Sequence, residues 1–159
     1  MAEAESQLHA LTRRWARPGR VEWIAIRPAR RAPMTVIESA RALGGRLEGD
    51  HASAGKRGVT FLQHEHLAPI ARYLGRSDLP PEELRRNIVV SGLNLAALKA
   101  RSISIGSAVF EITGICAPCS RMEEALGHGG YSAVRGHGGW CGRVVQPGEF
   151  RLGDPVRPL

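Results

Sequence analysis

Residues 85–93 read Arg85-Arg86-Asn87-Ile88-Val89-Val90-Ser91-Gly92-Leu93, a short apolar run between basic and polar side chains. The β-branched centre predicts a strand at residues 87–90, and the glycine that follows is typical of a turn. Successive side chains of a strand point to opposite faces, so Asn87 and Ser91 share one face, and Arg85 has the same parity. Two interpretations stay open for this run: a strand with polar ends, or a set of donors that binds a phosphate group.

Similar short β-rich runs recur along the chain on both sides of this strand. They are separated by turns rich in glycine and proline and lie at residues 21–26, 34–37, 59–62, 103–105, 109–115, 140–145 and 150–156. Helical patterns are few and short, at residues 6–18, 67–74, 95–99 and 120–127. This distribution predicts a mainly β protein, a barrel or sandwich with a few short peripheral helices. We expect one domain at residues 21–159, preceded by an N-terminal extension at residues 1–20.

The composition restricts the partners of the protein. The 159 residues carry 22 Lys and Arg against 15 Asp and Glu, a net charge of +7. The bases are scattered and only 5% of residues are aromatic, which favours a small phosphorylated ligand over nucleic acid. No apolar run approaches the roughly 20 residues of a membrane-spanning helix, so no membrane partner is expected. Three cysteines, an odd number, argue against a disulfide framework and predict a reducing, cytoplasmic location.

The motif Cys116-Ala117-Pro118-Cys119 is the strongest local signal for chemistry. It could form half of a zinc site with Cys141 and His137, although the chain has no second C-x-x-C motif. It could instead be a dithiol redox pair, or two buried cysteines that act as small hydrophobic residues. A fourth interpretation makes Cys119 alone a nucleophile or a metal ligand.

The position of Cys119 favours the fourth interpretation. It directly precedes Ser120, and the spacing of Ser120 and Glu123 is that of a capping box at the start of a helix. The unpaired backbone N–H groups of a helix start stabilise a thiolate, and Arg121 adds positive charge nearby. We therefore expect Cys119 to be more reactive than Cys116 or Cys141.

A glycine-rich loop at residues 49–59 carries two adjacent bases, Lys56 and Arg57, just before a predicted strand. It is not a Walker A loop, because that motif requires Ser or Thr where Arg57 stands. The segment is either a plain surface loop or a second group of phosphate donors.

Four segments in this order resemble the MOSC domain, the module found at the C-terminus of molybdenum cofactor sulfurases and also as small stand-alone proteins. They are the Gly-Asp-His loop leading to Lys56-Arg57, then R-x-N-I-V-V-S-G-L-N-L, then C-A-P-C-S-R-M, then G-G-W…G-R-V…G…G-D-P-V. The resemblance runs from about residue 21 to residue 158 and implies an irregular β-barrel that binds the molybdopterin form of the molybdenum cofactor. It implies that Cys119 is the metal-binding or sulfur-bearing catalytic residue. It also implies that the pterin and its phosphate are bound by five residues: Lys56, Arg57, Arg85, Asn87 and Ser91.

The resemblance leaves two kinds of activity open. One is a molybdenum-dependent oxidoreductase that reduces N-hydroxylated compounds with electrons from a separate reductase. The other is sulfur transfer, either as a sulfurtransferase or as a non-catalytic carrier of a persulfide or of the cofactor. Pyridoxal phosphate is not expected, because the desulfurase domain of the full sulfurases is not recognisable in these residues. A basic nucleic-acid-binding module is a third and less favoured interpretation.

Overall fold

The computed structural model describes residues 6–159. The strands in this part of the chain are β1 (Gly19–Ile26), β2 (Thr35–Val36), β3 (Ser39–Leu43), β4 (Arg46–Leu47), β5 (Val59–Gln63), β6 (Ile88–Ser91), β7 (Ser102–Ile105), β8 (Ala108–Ile115), β9 (Trp140–Gln146), β10 (Gly148–Arg151) and β11 (Pro155–Pro158). The α-helices are α1 (Gln7–Leu11), α2 (Leu67–Tyr73), α3 (Ser120–Leu126) and α4 (Gly130–Val134). Short 3-10 helices lie at His64–His66, Pro81–Leu84 and Leu95–Leu98. None of the helices in residues 6–159 has the length and apolar character needed to cross a bilayer.

The strands form a mixed β-barrel, as the sequence predicts. Its order is β11-β7-β8-β9-β5-β6-β1, and pairing of Gly19 in β1 with Val156 in β11 closes the ring. Strand β6 lies between β1, to which it is antiparallel, and β5, to which it is parallel. Strand β2 extends β1 outside the ring, and a small sheet of order β10-β3-β4 lies beside the barrel.

Aromatic side chains fill the barrel interior. The rings of Phe61 and Phe110 meet edge to face at 5.6 Å between centroids, and Phe110 meets Phe150 in the same way at 5.8 Å. Ile88 and Val90 of β6 point into this interior cluster. Edge-to-face rings and β-branched residues fill such a space without polar atoms, so the interior is a packed apolar core.

A second apolar cluster lies on the outer face of the parallel pair β5 and β6. Leu62 and Val89 point outward and are covered by side chains from the helices and the connecting segments. Those covering residues are Ile70, Ala71, Leu79, Leu84, Met122 and Val134. All five residues of β5 are therefore buried, which is the usual condition of parallel strands.

Two local predictions differ from the structure near the cysteine motif. Helix α3 occupies the predicted position, but the capping box is wrong: Cys119 is the N-cap residue and no side chain caps the helix. The Glu123 carboxylate accepts hydrogen bonds from the backbone N–H groups of Gly129 and Tyr131 instead. These two N–H groups lie at the start of α4, a helix that the sequence did not predict. They occupy the Glu123 carboxylate that a capping box would need at the start of α3.

The N-terminal segment contains less helix than its pattern predicts. Helix α1 ends at Leu11, with Leu8 and Leu11 exposed to solvent. Trp15 lies beyond the helix and packs against the interior cluster of the barrel. The sequence also did not predict strands β3 and β4.

Candidate functional site

A buried hydrogen-bond network organises one end of the barrel. Asp50 follows β4, and its carboxylate accepts hydrogen bonds from the backbone N–H, Nε and Nη2 of Arg27 at 2.7, 3.2 and 3.0 Å. Asp50 Oδ1 also accepts from Asn87 Nδ2 at 3.0 Å. Burial raises the pKa of Asp50, but the hydrogen bonds and charge of Arg27 outweigh it, so the net pKa shift is downward. The network therefore holds a carboxylate anion that fixes the Arg27 side chain at the end of β1.

Asn87 connects this network to β5. Its Oδ1 accepts from the amide and the hydroxyl of Thr60, both at 3.0 Å, and from Arg27 Nη2 at 3.3 Å. Its Nδ2 donates to Ala25 O at 3.1 Å as well as to Asp50. The side chain is fully buried and every polar atom has a protein partner, so Asn87 acts here by holding other groups in place.

A cleft of about 300 Å³ opens beside this network. Its walls include the side chains of Arg27, Arg57, Arg86, Cys116 and Cys119. The remaining lining comes from His51, Ala52, Ser53, Thr60, Ala117 and Met122. We call this space the cysteine cleft. It brings the glycine-rich loop and the C-x-x-C segment, more than 50 residues apart in the chain, to one concave surface.

Arg86 is the buried cation of the cysteine cleft. Its Nε donates to Gly138 O at 2.7 Å, Nη1 to Leu84 O at 3.1 Å and Nη2 to Cys116 O at 3.3 Å. Three carbonyl oxygens accept hydrogen bonds from three of its five N–H groups, but none of them neutralises its charge. Arg86 therefore ties the start of the C-x-x-C segment to the loop before β9 and leaves a positive potential in the cleft.

Other guanidinium groups add to this potential. The pKa of Arg85 is lowered by burial and by the nearby charges of Arg27 and Arg121. Arg85 Nη1 donates to Ala32 O at 2.6 Å. Asp50 neutralises the charge of Arg27, but the charges of Arg85 and Arg86 remain. The neighbourhood therefore carries a surplus of positive charge, which favours an anionic ligand.

The three cysteines have different surroundings. Cys119 is exposed, with extended backbone at the entrance to α3, and Cys116 and Cys141 are buried. A hydrogen bond from the Cys141 thiol lowers the pKa of Cys116, against the effect of burial, and the charges of Arg86 and Arg57 act in the same direction. The same hydrogen bond, together with burial, raises the pKa of Cys141.

A second cleft of about 300 Å³ adjoins the cysteine cleft and shares Arg57 and Ala117 with it. Its other walls are Lys56, Thr113, Gly114, Ile115 and Cys141. The Thr113 hydroxyl donates a hydrogen bond to Lys56 O at 2.5 Å, which fixes the base-bearing loop against β8. We call this space the lysine cleft. Lys56 and Arg57 thus present their charges to neighbouring parts of one surface.

The structure brings together some of the residues predicted for the site. Cys119 and Arg57 share the cysteine cleft, Lys56 lines the lysine cleft, and Arg85 lies near Arg27 at the margin. Asn87 is in the buried network beneath the cleft. Ser91 is at the opposite end of β6, roughly 13 Å along the strand from Asn87. There its hydroxyl donates to Glu22 at 2.7 Å, so the structure does not bring Ser91 to the cleft.

Sequence reasoning did not select Arg27, Asp50 or Arg86 as site residues. Arg86 lies between two of the predicted site residues, Arg85 and Asn87. Only its burial in the structure distinguishes it from a surface arginine. Asp50 was part of the Gly-Asp-His loop, but its pairing with Arg27 depends on contact between segments that are 23 residues apart.

Zinc chemistry receives no support from the side chains that the structure describes. Among residues 6–159, no three His, Cys, Asp or Glu side chains are grouped so that they could hold a metal ion. His137, a candidate partner of the cysteines, instead meets His66 edge to face at 4.7 Å between ring centroids.

The fold and the site together define a small β-barrel protein with a cationic, cysteine-bearing cleft. The chain belongs to the MOSC domain family: the family model matches residues 48–157, more than half of the chain. This match includes the loop with Lys56 and Arg57, strand β6 and the C-x-x-C segment. The family that the sequence resembles is thereby confirmed.

Solved structures share the fold. The YuaD protein from Bacillus subtilis superposes with a TM-score of 0.77 at 22% identity, covering 90% of this chain and 97% of that one. YiiM from Geobacillus stearothermophilus gives 0.74 at 16% identity, covering 89% of this chain and 75% of that one. YiiM from Escherichia coli gives 0.71 at 17% identity, covering 88% and 69%. Comparison with curated proteins gave no significant sequence match.

Proposed function

We propose that the cysteine cleft binds the molybdenum cofactor, with Cys119 as the sulfur ligand of the metal and the surrounding bases as the phosphate site. The observation that carries this proposal is the presence of an exposed cysteine and unpaired guanidinium charge on the walls of one cleft. Membership of the MOSC family supports the choice of cofactor.

The donor set suits such a cofactor. Molybdenum held by a dithiolene is soft and takes a thiolate as a protein ligand, and Cys119 is the exposed thiol of the cleft. A phosphate dianion is bound by guanidinium and ammonium groups, which Arg57, Lys56 and Arg85 supply. Arg27 is already oriented by Asp50, so it loses little side-chain freedom when an anion binds.

The residues of the chain take separate roles in this proposal. Arg57 and Lys56 bind the phosphate from the glycine-rich loop. Asn87 and Asp50 hold Arg27 in place without touching the ligand, and Arg86 fixes the backbone of the C-x-x-C segment through Cys116 O. When bound, the cofactor would supply two-electron redox chemistry, with N-hydroxylated compounds as substrates and a separate reductase as the electron source.

A second candidate function is sulfur carriage by Cys119. The exposure of this cysteine favours it, because a persulfide donor or acceptor protein must reach the sulfur atom directly. In this case the cationic walls would stabilise the persulfide anion on Cys119. A molybdenum content near zero after expression in a host that makes the cofactor would favour the carrier over the cofactor protein.

The test is elemental analysis of protein purified from such a host. We expect about one molybdenum per chain in the wild type and almost none in Cys119→Ser, with unchanged circular dichroism. Arg57→Gln should lose one charge-assisted contact, a cost of roughly 1.5–3 kcal/mol or about one to two powers of ten in affinity.

Arg72→Gln is the matched control, because Arg72 is an exposed arginine in α2 that does not line either cleft. It should retain the metal. Full molybdenum content in Cys119→Ser, or equal loss in Arg57→Gln and Arg72→Gln, would contradict the proposal.

A further inference from the structure

Two buried cysteines lie in the wall between the two clefts, Cys116 on the side of the cysteine cleft and Cys141 on the side of the lysine cleft. Cys141 in β9 pairs with Gly114 in β8, and Cys116 follows the end of β8. The Cys116 amide donates to Gly139 O at 2.9 Å, which continues the ladder past the strand and keeps Cys116 beside β9. The two side chains therefore lie on the same face of the β8–β9 pair, offset by two residues, and the residues are 4% and 3% exposed. Each thiol also shifts the pKa of the other, as expected of close neighbours.

This contact differs from the pairing that the motif suggests. A C-x-x-C motif implies that Cys116 and Cys119 react with each other. In the structure Cys119 is exposed at the start of α3 with extended backbone (φ −131°, ψ 179°), and Cys116 faces β9. Cys141 on the neighbouring strand β9 has its side chain on the same face as Cys116, because Gly114, two residues before Cys116, pairs with Cys141.

We propose that Cys116 and Cys141 form a reversible disulfide when the protein meets a peroxide, and that Cys119 remains the free thiol. Each of the two cysteines lines a cleft, Cys116 the cysteine cleft and Cys141 the lysine cleft, so an oxidant the size of hydrogen peroxide can reach the pair. The disulfide does not depend on the cofactor and would form whether or not the chain binds molybdenum.

The chemistry takes two steps. The Cys116 sulfur attacks one peroxide oxygen, an S–O bond forms, the O–O bond breaks, and the departing hydroxide leaves as water after taking the Cys116 proton. The Cys141 sulfur then attacks the sulfenic sulfur of Cys116; the S–S bond forms, the S–O bond breaks, and the hydroxyl leaves as water with the Cys141 proton. Two thiols lose two electrons, and one peroxide is reduced to two waters.

The disulfide would change the wall that the clefts share. It would join the segment after β8 to β9 through a covalent bond, where a hydrogen bond now holds it. It would also consume the Cys116 thiol, on which the charges of Arg57 and Arg86 now act. One thiol of the cysteine cleft, Cys119, would still be open to solvent.

Peptide mapping tests the proposal directly, because trypsin separates the candidate partners. Cleavage after Arg101, Arg121, Arg135 and Arg143 puts Cys116 and Cys119 on peptide 102–121 and Cys141 on peptide 136–143. The wild-type protein is treated with a few equivalents of hydrogen peroxide, free thiols are blocked with iodoacetamide, and the digest is analysed with and without reduction. We expect peptides 102–121 and 136–143 to be covalently linked, and the link to disappear on reduction.

Two serine variants identify the linked cysteine on peptide 102–121. Cys119→Ser should keep the link and Cys116→Ser should lose it, with circular dichroism to show that both are folded. If Cys116→Ser does not fold, Cys141→Ser takes its place and should leave Cys116 trapped as a sulfenic acid that reacts with dimedone. A disulfide inside peptide 102–121, loss of the link in Cys119→Ser, or a disulfide between two chains would overturn the proposal.

Discussion

Replacing Asn87 by alanine should destabilise the fold severely. The side chain is fully buried and makes five hydrogen bonds, to the Thr60 amide and hydroxyl, Ala25 O, Asp50 and Arg27. A buried group that loses its partner costs about 1–3 kcal/mol, and more when it is charged. Because these losses share one network and are not additive, we expect a total of about 3–5 kcal/mol, a large part of the roughly 5–15 kcal/mol that stabilises a domain.

The assay is urea unfolding followed by tryptophan fluorescence, with the free energy taken from the midpoint and slope. Asn94→Ala is the matched control. Asn94 is an exposed asparagine whose side chain accepts one hydrogen bond, from the Ala96 amide, at the start of a 3-10 helix. Loss of such a cap costs about 1 kcal/mol.

The outcome separates two roles for Asn87. If Asn87→Ala is no less stable than Asn94→Ala, the structural role that we assign to the network is refuted. A variant that unfolds like the wild type but loses its molybdenum would show that Asn87 contacts the ligand, as the resemblance to the family implies.

Two further predictions concern other parts of the molecule. Burial, with a smaller contribution from the charge of His137, lowers the pKa of His66 below its ordinary value of 6.5, so the folded protein binds fewer protons than the unfolded one. The contribution of His66 to stability should therefore be complete above pH 6.5 and fall as the pH drops below that value. Thermal melts at several pH values should show a flatter dependence for His66→Gln. An equally steep fall in the variant would contradict this assignment. Gly139→Ala should destabilise by more than the roughly 1–3 kcal/mol of a left-handed alanine, because its φ is +93° and a Cβ would overlap Phe61 O. Gly129→Ala, at φ +85° with no atom within 4 Å of the new Cβ, measures the backbone cost alone, and equal losses in the two variants would exclude the overlap.

Much of the fold was predictable because its strands carry local signals. β-branched and aromatic runs such as those of β1, β5 and β8 lie between glycine and proline turns, and the helix after Cys119 was expected at its observed position. Strand β3, in contrast, reads Ser-Ala-Arg-Ala-Leu, whose composition favours a helix. It is a strand because β10 pairs with it along four residues, a contact more than 100 residues away in the chain.

The candidate site was predictable where its residues carry their own chemistry. Arg57 and Cys119 were selected as a base in a glycine-rich loop and a cysteine before a helix, and the structure places both on one cleft. The parity argument for Asn87 and Ser91 did not lead to a shared ligand site. Val89, which lies between them on the same face, is covered by the helical layer, and the sequence pattern of a strand does not tell which face is covered.

The amino-acid sequence determined the class of fold, the family and the cysteine and base-bearing segments, because periodicity, turn residues and motif order are properties of neighbouring residues. Only the tertiary structure decided which distant groups meet. Asp50 neutralises Arg27, Arg86 holds the carbonyl of Cys116, and Cys116 lies beside β9 on the same face as Cys141. These contacts depend on the register of β8 against β9 and of β6 against β1 and β5. Strand register is fixed by burial of one face against the rest of the chain, so it emerges only when the barrel closes.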